Sequence, residues 1–311
     1  MVDKAKLIRS GLLLTTALVL VFTYLKFQPG PNLQKSTMLQ TVPKLQTLPN
    51  SPVEGNVLML LDVVITFPLL TDPIIMNSSS YSIYPREKME ERLAEYIICL
   101  ERTLTHPYVS NVHFLYDQPQ IIRYIQTHVK TNQNKLLFHK VKDSKLASTA
   151  YEFVFSNLNG RLVMVNQADV YPGQGLDLIT KDVMVSHKLM YSLTRHGRLE
   201  RKCDMRTRTK SCSDAGYIGS HDTYIFVPQG KLPLAALDAL NHRSSALGID
   251  NVLMWTFENI LKYKVMNPCK VITMFHYHCS GVRPTAAAKR INNKKNTGMS
   301  RPTENLTLTD M

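Results

Sequence analysis

Two histidines stand two residues apart in MFHYHCSG, His276 and His278, and one aspartate, Asp169, closes the apolar run LVMVNQADV before a Pro-Gly turn. On an extended strand that spacing puts both imidazoles on one side and Tyr277 on the other. A carboxylate at a strand end, joined by a histidine from elsewhere, is the donor set that a manganese or magnesium site demands. A divalent cation of that kind meets the charge of a diphosphate during glycosyl or phosphoryl transfer. The plain alternatives are a polar strand face for the histidines and a turn residue for Asp169. The residue types alone leave both open.

Two further carboxylates stand at element boundaries. Asp222, in GSHDTYIF, precedes an apolar strand, and Asp250, in LGIDNVLMWTFENI, stands where a helix-capping residue would. Taken by itself Asp250 reads as a cap. In a transfer site either carboxylate could orient an acceptor hydroxyl or act as its general base. Gly-x-Ser-x-Gly, a Walker loop, His-Glu-x-x-His and the dinucleotide-binding glycine fingerprint are all missing from the sequence, which removes several enzyme classes.

The elements that must position these residues follow an alternating pattern. NVLMLLDVVITF, from Asn56 to Phe67, is a near-continuous apolar run of strand length, as a strand covered on both faces gives. In REKMEERLAEYIICLERTL, Met89, Leu93, Ile97, Leu100 and Leu104 recur at three and four, which predicts an amphipathic helix opened by Pro85. Strands at NVHFLYD, KLLFHKV and RLVMVNQADV then alternate with helices at PQIIRYIQTHV and KLASTAYEFVFSNL. This succession predicts an α/β domain with a mainly parallel sheet, and ligands in such sheets collect beyond the carboxyl ends of the strands, where Asp169 is placed. Further on, KLMYSLTRHG, TYIFVPQG and KVITMFHYHC read as strands, and two helical stretches are broken at Gly248-Ile249-Asp250.

The flanks carry other signals. Lys4, Lys6 and Arg9 precede the apolar run GLLLTTALVLVFTYL, which offers no small-x-small cleavage site after it. Residues 11–27 therefore read as a signal-anchor helix with residues 1–10 in the cytosol, and a short span suits the thin membranes of the early secretory pathway. A proline-containing polar stem, 28–54, follows, then a lumenal domain over 55–283 and a basic flexible tail over 284–311. Sequons at Asn77 and Asn305 agree with a lumenal location. The five cysteines allow two disulfides, for which Cys203 with Cys212 and Cys269 with Cys279 are the near neighbours. The net charge of +13 concentrates between Arg195 and Lys210 and in the tail. Neither cluster interleaves aromatics among its bases, which disfavours nucleic acid as a partner.

Taken in order, CLERTLTHPYVSNVHFLYD, NGRLVMVNQADVY, MYSLTRHG, SHDTYIF, GIDN and YKVMNPCKVITMFHYHCSGVR resemble a family of GT-A-fold, glycosyltransferase-like proteins, over residues 90–283. The family pattern places Asn-x-Asp-Ile after a core strand, then a Leu-Ser/Thr-Arg strand, Ser-Gln-Asp-x-x-x-Phe, Gly-x-Asp-Asn and a late His-x-His. The resemblance implies a GT-A-like α/β fold, a mixed but mainly parallel sheet flanked by helices. It implies that Asp169 binds the metal, Mn2+ or Mg2+, that bridges a nucleotide-sugar diphosphate, with His276 and His278 completing the metal or phosphate site. Gln167, Arg195 and Asn251 join Asp169 on the donor, and Asp222 and Asp250 are the catalytic carboxylates toward the acceptor. Gln167 stands where the family shows Asn, His221 replaces the Gln before Asp222, and Asp-x-Asp is absent; these departures leave open weak metal dependence, altered donor choice or lost catalysis. The expected function is transfer of a sugar from a nucleotide-diphosphate donor to a glycan or glycoprotein in the Golgi or ER. The alternative is a lumenal glycan-binding protein that keeps the fold without catalysis.

Overall fold

Runs of apolar residues too short for helices become the central strands of the computed structural model, which describes residues 60–77, 81–196, 212, 221–283, 291 and 297–307. These residues all belong to the second of two units into which the chain divides, 56–311. The expected anchor, stem and most of the basic cluster lie outside the described residues. Among the described residues no helix is long and apolar enough to cross a membrane.

The first half alternates as the sequence predicts. Strand β1 (Leu61–Ile65), buried at all five positions, is followed by a short helix α1 (Pro73–Met76) and the long helix α2 (Arg86–Thr105). Glu87 in the first turn of α2 and Arg102 in the last complement its dipole. The helix stops at His106 because Pro107 excludes the helical conformation from the residue before it. Strand β2 (Val109–Tyr116), helix α3 (Gln120–His128), strand β3 (Leu136–Lys140), helix α4 (Ala147–Asn157) and strand β4 (Val163–Asn166) complete this half.

The run RLVMVNQADV does not form one strand. It breaks after Asn166, turns through Gln167–Asp169, and resumes as β5 (Val170–Pro172) in a different sheet. Asn166 makes the break: its Nδ2 donates to the Val170 carbonyl at 2.6 Å and its Oδ1 accepts from the Thr223 hydroxyl at 2.5 Å. The second half supplies α5 (Lys181–Ser186), β6 (Leu189–Leu193), β7 (Thr223–Phe226), α6 (Leu234–Ala239), α7 (Ile249–Asn259), β8 (Lys264–Met266) and β9 (Met274–His276). Strand β8 is an addition to the sequence reading, and the predicted strand KVITMFHYHC is regular only over β9.

The main sheet has the order β3-β2-β1-β4-β7-β6-β8, and β5 pairs with β9 in a second sheet. In the main sheet β7 alone runs antiparallel to its neighbours. Residues of α2 and α3 such as Leu93 and Ile125 pack on one face, and residues of α4, α6 and α7 such as Val154, Ala236 and Phe257 pack on the other. The chain moves outward from β1 to β3 and then returns to the far side of β1 with β4. That reversal is a topological switch point, which opens a crevice beyond the strand ends. Because β7 is reversed, its first residues lie at the same edge as the ends of β4 and β6.

Cys212 is bonded to Cys269, which corrects both expected pairings, Cys203 with Cys212 and Cys269 with Cys279. The reason is sheet adjacency. The Cys212 N–H donates to the Arg195 carbonyl just beyond β6, and β6 pairs with β8, whose following turn carries Cys269. Cys279 is also disulfide-bonded, while Cys99 is a buried free thiol. Residues 297–307, which the sequence reading assigns to a flexible tail, pack against the domain. Asn251 Nδ2 donates to the Gly298 carbonyl at 2.9 Å, Asn267 Nδ2 to that of Ser300 at 3.3 Å, and the Tyr191 hydroxyl to that of Leu306 at 2.7 Å. Glycine is required at 298, since a Cβ there would stand 2.7 Å from the Trp255 nitrogen.

Candidate functional site

The turn after β4 carries Asp169 to the switch-point edge, and the ladder between β5 and β9 brings the late histidines to it. Val170 pairs with His276, and beyond the end of β9 the Tyr277 N–H donates to the Asp169 carbonyl at 2.7 Å. The Asp169 side chain is buried, as are His276 and His278. Its Oδ2 lies 3.0 Å from His276 Nε2 and 3.6 Å from His278 Nδ1. The same oxygen accepts from Arg92 Nη2 of α2 at 2.6 Å. Burial alone would raise the Asp169 carboxyl; His276 and Arg92 outweigh it and hold the group well below the usual carboxylate range.

His278 is fixed in one tautomer. Burial, and after it the Arg92 charge, pushes it down to about 3, so the ring is neutral. Its Nε2 meets the Val282 carbonyl at 3.0 Å, an acceptor, so Nε2 carries the proton and Nδ1 presents a lone pair to Asp169. Two electron-rich atoms thus face each other in a buried site. Bonds of about 2.1 Å at right angles place neighbouring ligand atoms about 3 Å apart. The 3.0 and 3.6 Å from Asp169 Oδ2 to the two rings are near that separation, and the three ligand atoms, within 4.8 Å of one another, form a group that could close on one divalent ion. Two imidazoles with one carboxylate suit a first-row transition ion such as Mn2+ better than Mg2+.

Beside this cluster lies a pair of carboxylates. Asp222, 2% exposed, receives Arg195 Nη1 on Oδ1 at 2.9 Å, whereas its buried Oδ2 has no hydrogen-bond partner among the described residues. Burial raises the Asp222 carboxyl against the pull of Arg195 and His276. Asp250 accepts from the Tyr224 hydroxyl on Oδ1 at 3.0 Å, with the His221 N–H 3.5 Å from Oδ2. Burial, then repulsion from Asp222, pushes Asp250 up to about 7. The capping reading of Asp250 is therefore corrected: Gly248 occupies the cap position of α7, and no side chain caps the helix. His221, pushed down to about 4 by burial, is neutral and donates from Nδ1 to the Ser192 carbonyl at 2.7 Å.

Asp169, His276 and His278 thus come together, Asp169 acts electrostatically on Asp222, and Asp222 on Asp250. Gln167 enters through its backbone, whose N–H donates to the Asp222 carbonyl at 3.1 Å. Asn251 is placed differently, with its side-chain amide on the Gly298 carbonyl of the C-terminal strap. The sequence reading missed Arg92, Glu95 and Tyr96 on α2. Arg92 Nη1 donates to Glu95 Oε2 at 2.7 Å and Nε to the Tyr96 hydroxyl at 3.1 Å. Glu95 in turn accepts the N–H groups of Cys279 and Ser280, immediately after His278. The available signal was position: Arg92 follows Met89 by three and precedes Tyr96 by four, which places it on the buried stripe. Two surface cavities, of about 540 Å3 beside Gly173 and Asp177 and about 480 Å3 beside Phe155 and Leu232, lie elsewhere and are lined by none of these groups.

No protein-family model matches the chain, and no curated protein matches it. Among solved structures it is similar to a protein from Desulfovibrio desulfuricans G20 assigned as a nucleotide-diphospho-sugar transferase, with 7% identity, a TM-score of 0.39, and coverage of 67% of this chain and 78% of that one. It is similar to residues 1–349 of S. aureus TarS in complex with UDP, with 12% identity, a TM-score of 0.37, and coverage of 72% and 59%. It is also similar to a UDP-glucose pyrophosphorylase complexed with UDP-glucose, with 10% identity, a TM-score of 0.33, and coverage of 71% and 90%. The chain spans less than two thirds of the TarS fragment. Similarities of this size assign neither a family nor an activity.

Proposed function

We propose that the chain is a glycosyltransferase that moves a sugar from a nucleotide-diphosphate donor to a glycan or glycoprotein acceptor, with a divalent cation held by Asp169, His276 and His278. The observation that carries this reading is the convergence of those three ligand atoms at the switch-point edge of the sheet. Two carboxylates, Asp169 and Glu95, share the one guanidinium of Arg92, and a cation bound there would offset their repulsion of a diphosphate. When bound, the cation supplies the positive charge that stabilises the leaving diphosphate.

The neighbouring carboxylates suit the other half of the reaction. Asp222 Oδ2, which has no hydrogen-bond partner among the described residues, would accept from a sugar hydroxyl admitted to the site, and Arg195 holds that carboxylate in place through Oδ1. Asp250, poised near neutrality, can take the proton that the acceptor hydroxyl gives up, because a base is most effective when its pKa lies near the working pH. Attachment by residues 11–27 and a lumenal location in the secretory pathway belong to the same proposal. Protease protection of the domain in intact microsomes tests them, and digestion from the cytosolic side would refute them.

The activity test is a panel of nucleotide sugars offered with Mn2+ to the full chain, reading release of nucleoside diphosphate. One donor is expected to turn over, metal-dependently, and Asp169→Ala is expected to abolish the release while the variant keeps its circular dichroism. Release that Asp169→Ala leaves intact would refute the assignment. Glycan binding with no donor turned over would instead establish a non-catalytic binding protein.

A further inference from the structure

We infer that Arg92 is a resident counter-cation for Asp169, that it yields the carboxylate to the divalent ion, and that the N–H so released binds the diphosphate. The inference rests on the cation reading above and adds the residue that couples the two ligands. Three nitrogens of Arg92 are engaged, each on a different group: Nη2 on Asp169 at 2.6 Å, Nη1 on Glu95 at 2.7 Å and Nε on the Tyr96 hydroxyl at 3.1 Å. The last two partners lie on α2 itself. Glu95 is further locked by the backbone N–H groups of Cys279 and Ser280 and by the Ser280 hydroxyl at 3.0 Å. The guanidinium is therefore anchored on one side and exchangeable on the other.

The exchange follows from the atoms involved. Asp169 Oδ2 is both the acceptor of Arg92 and the oxygen nearest His276 and His278. A cation bonded to that oxygen and a guanidinium hydrogen-bonded to it repel at short range in a buried site, where Coulomb energies are large. With a cation held there, Arg92 would remain as an anchored, permanently charged donor released from Asp169, and a diphosphate oxygen would be its natural acceptor. Each ligand favours the arrangement the other needs, which is a coupling free energy between them.

One substitution separates this from a purely structural ion pair. In the full chain, Arg92→Gln is expected to tighten Mn2+ binding without anion by at least about tenfold, since a competing charge is removed. It is expected to weaken inorganic pyrophosphate binding at saturating Mn2+ by about tenfold, since a charge-assisted bond is lost. Arg92→Lys keeps the charge but not the fork; it should hold Mn2+ affinity near the wild-type value and still weaken pyrophosphate, which keeps the test decisive if the glutamine variant does not fold. Mn2+ affinity that falls or stays the same in Arg92→Gln, or pyrophosphate affinity that Arg92→Lys leaves unchanged, would overturn the inference. Absence of Mn2+ binding by the wild-type chain would overturn the cation reading itself and this inference with it.

Discussion

Asp250 is held in the first turn of α7 with its carboxyl turned toward Tyr224 and within the field of Asp222. That environment has a consequence for stability. The folded group titrates at about 7 against an ordinary value of 3.8, so the folded state binds this proton more tightly than the unfolded state. The stabilisation is complete below the unfolded value, declines as pH rises, and is lost above the folded one. Asp250→Asn should remove that slope: urea midpoints of wild type and variant should diverge in favour of the variant between pH 4 and pH 7, and parallel curves would contradict the placement. At this scale the sequence was legible wherever one residue announced itself by position, as Asp169 did at a strand end and His276 and His278 by their spacing. Arg92 was hidden because a charged residue within an amphipathic helix reads as part of its solvated face. Helical spacing marks its place on the buried stripe, but its ion-pair partner is 77 positions away, which no local pattern encodes.

At the scale of elements, strands and helices of the first half follow from apolar runs and periodicity, because each element there packs a continuous face against the sheet. The break between β4 and β5 was not legible, since the side chain of Asn166 captures the Val170 backbone and a run of apolar letters is blind to that. It is also the event that aims Asp169. The disulfide shows the same limit, for its partners are set by the neighbouring of β6 and β8 and lie 57 residues apart in sequence. Closing a loop of that length restricts the unfolded chain by about 4 kcal/mol in the chain-entropy model, and typical disulfides contribute about 2–4 kcal/mol. Cys269→Ser should therefore lower unfolding stability by about 2–4 kcal/mol, read as a shift in urea midpoint at constant slope. A midpoint within error of wild type would show that the bond does not stabilise the domain.

For the whole molecule, the informative feature is that contributions distant in sequence meet at one edge of one sheet. The switch point fixes where β4 delivers Asp169, the reversal of β7 brings Asp222 to the same edge, and the second sheet delivers His276, with His278 just beyond its last strand. The strap over 297–307 closes against β6, α7 and the turn after β8, tying Asn251 and Asn267 to the chain beyond the last strand. The role proposed for this assembled edge is to hold a divalent cation and, through it, a nucleoside diphosphate. Isothermal titration of the full chain with Mn2+, and then of the Mn2+-saturated chain with UDP and GDP, tests it most directly, alongside Asp169→Ala and His276→Ala variants of wild-type fold. Saturable Mn2+ binding is expected, with metal-dependent binding of at least one of the two nucleotides and loss of both by more than about tenfold in each variant. Equal binding by wild type and variants, or nucleotide binding indifferent to Mn2+, would contradict it.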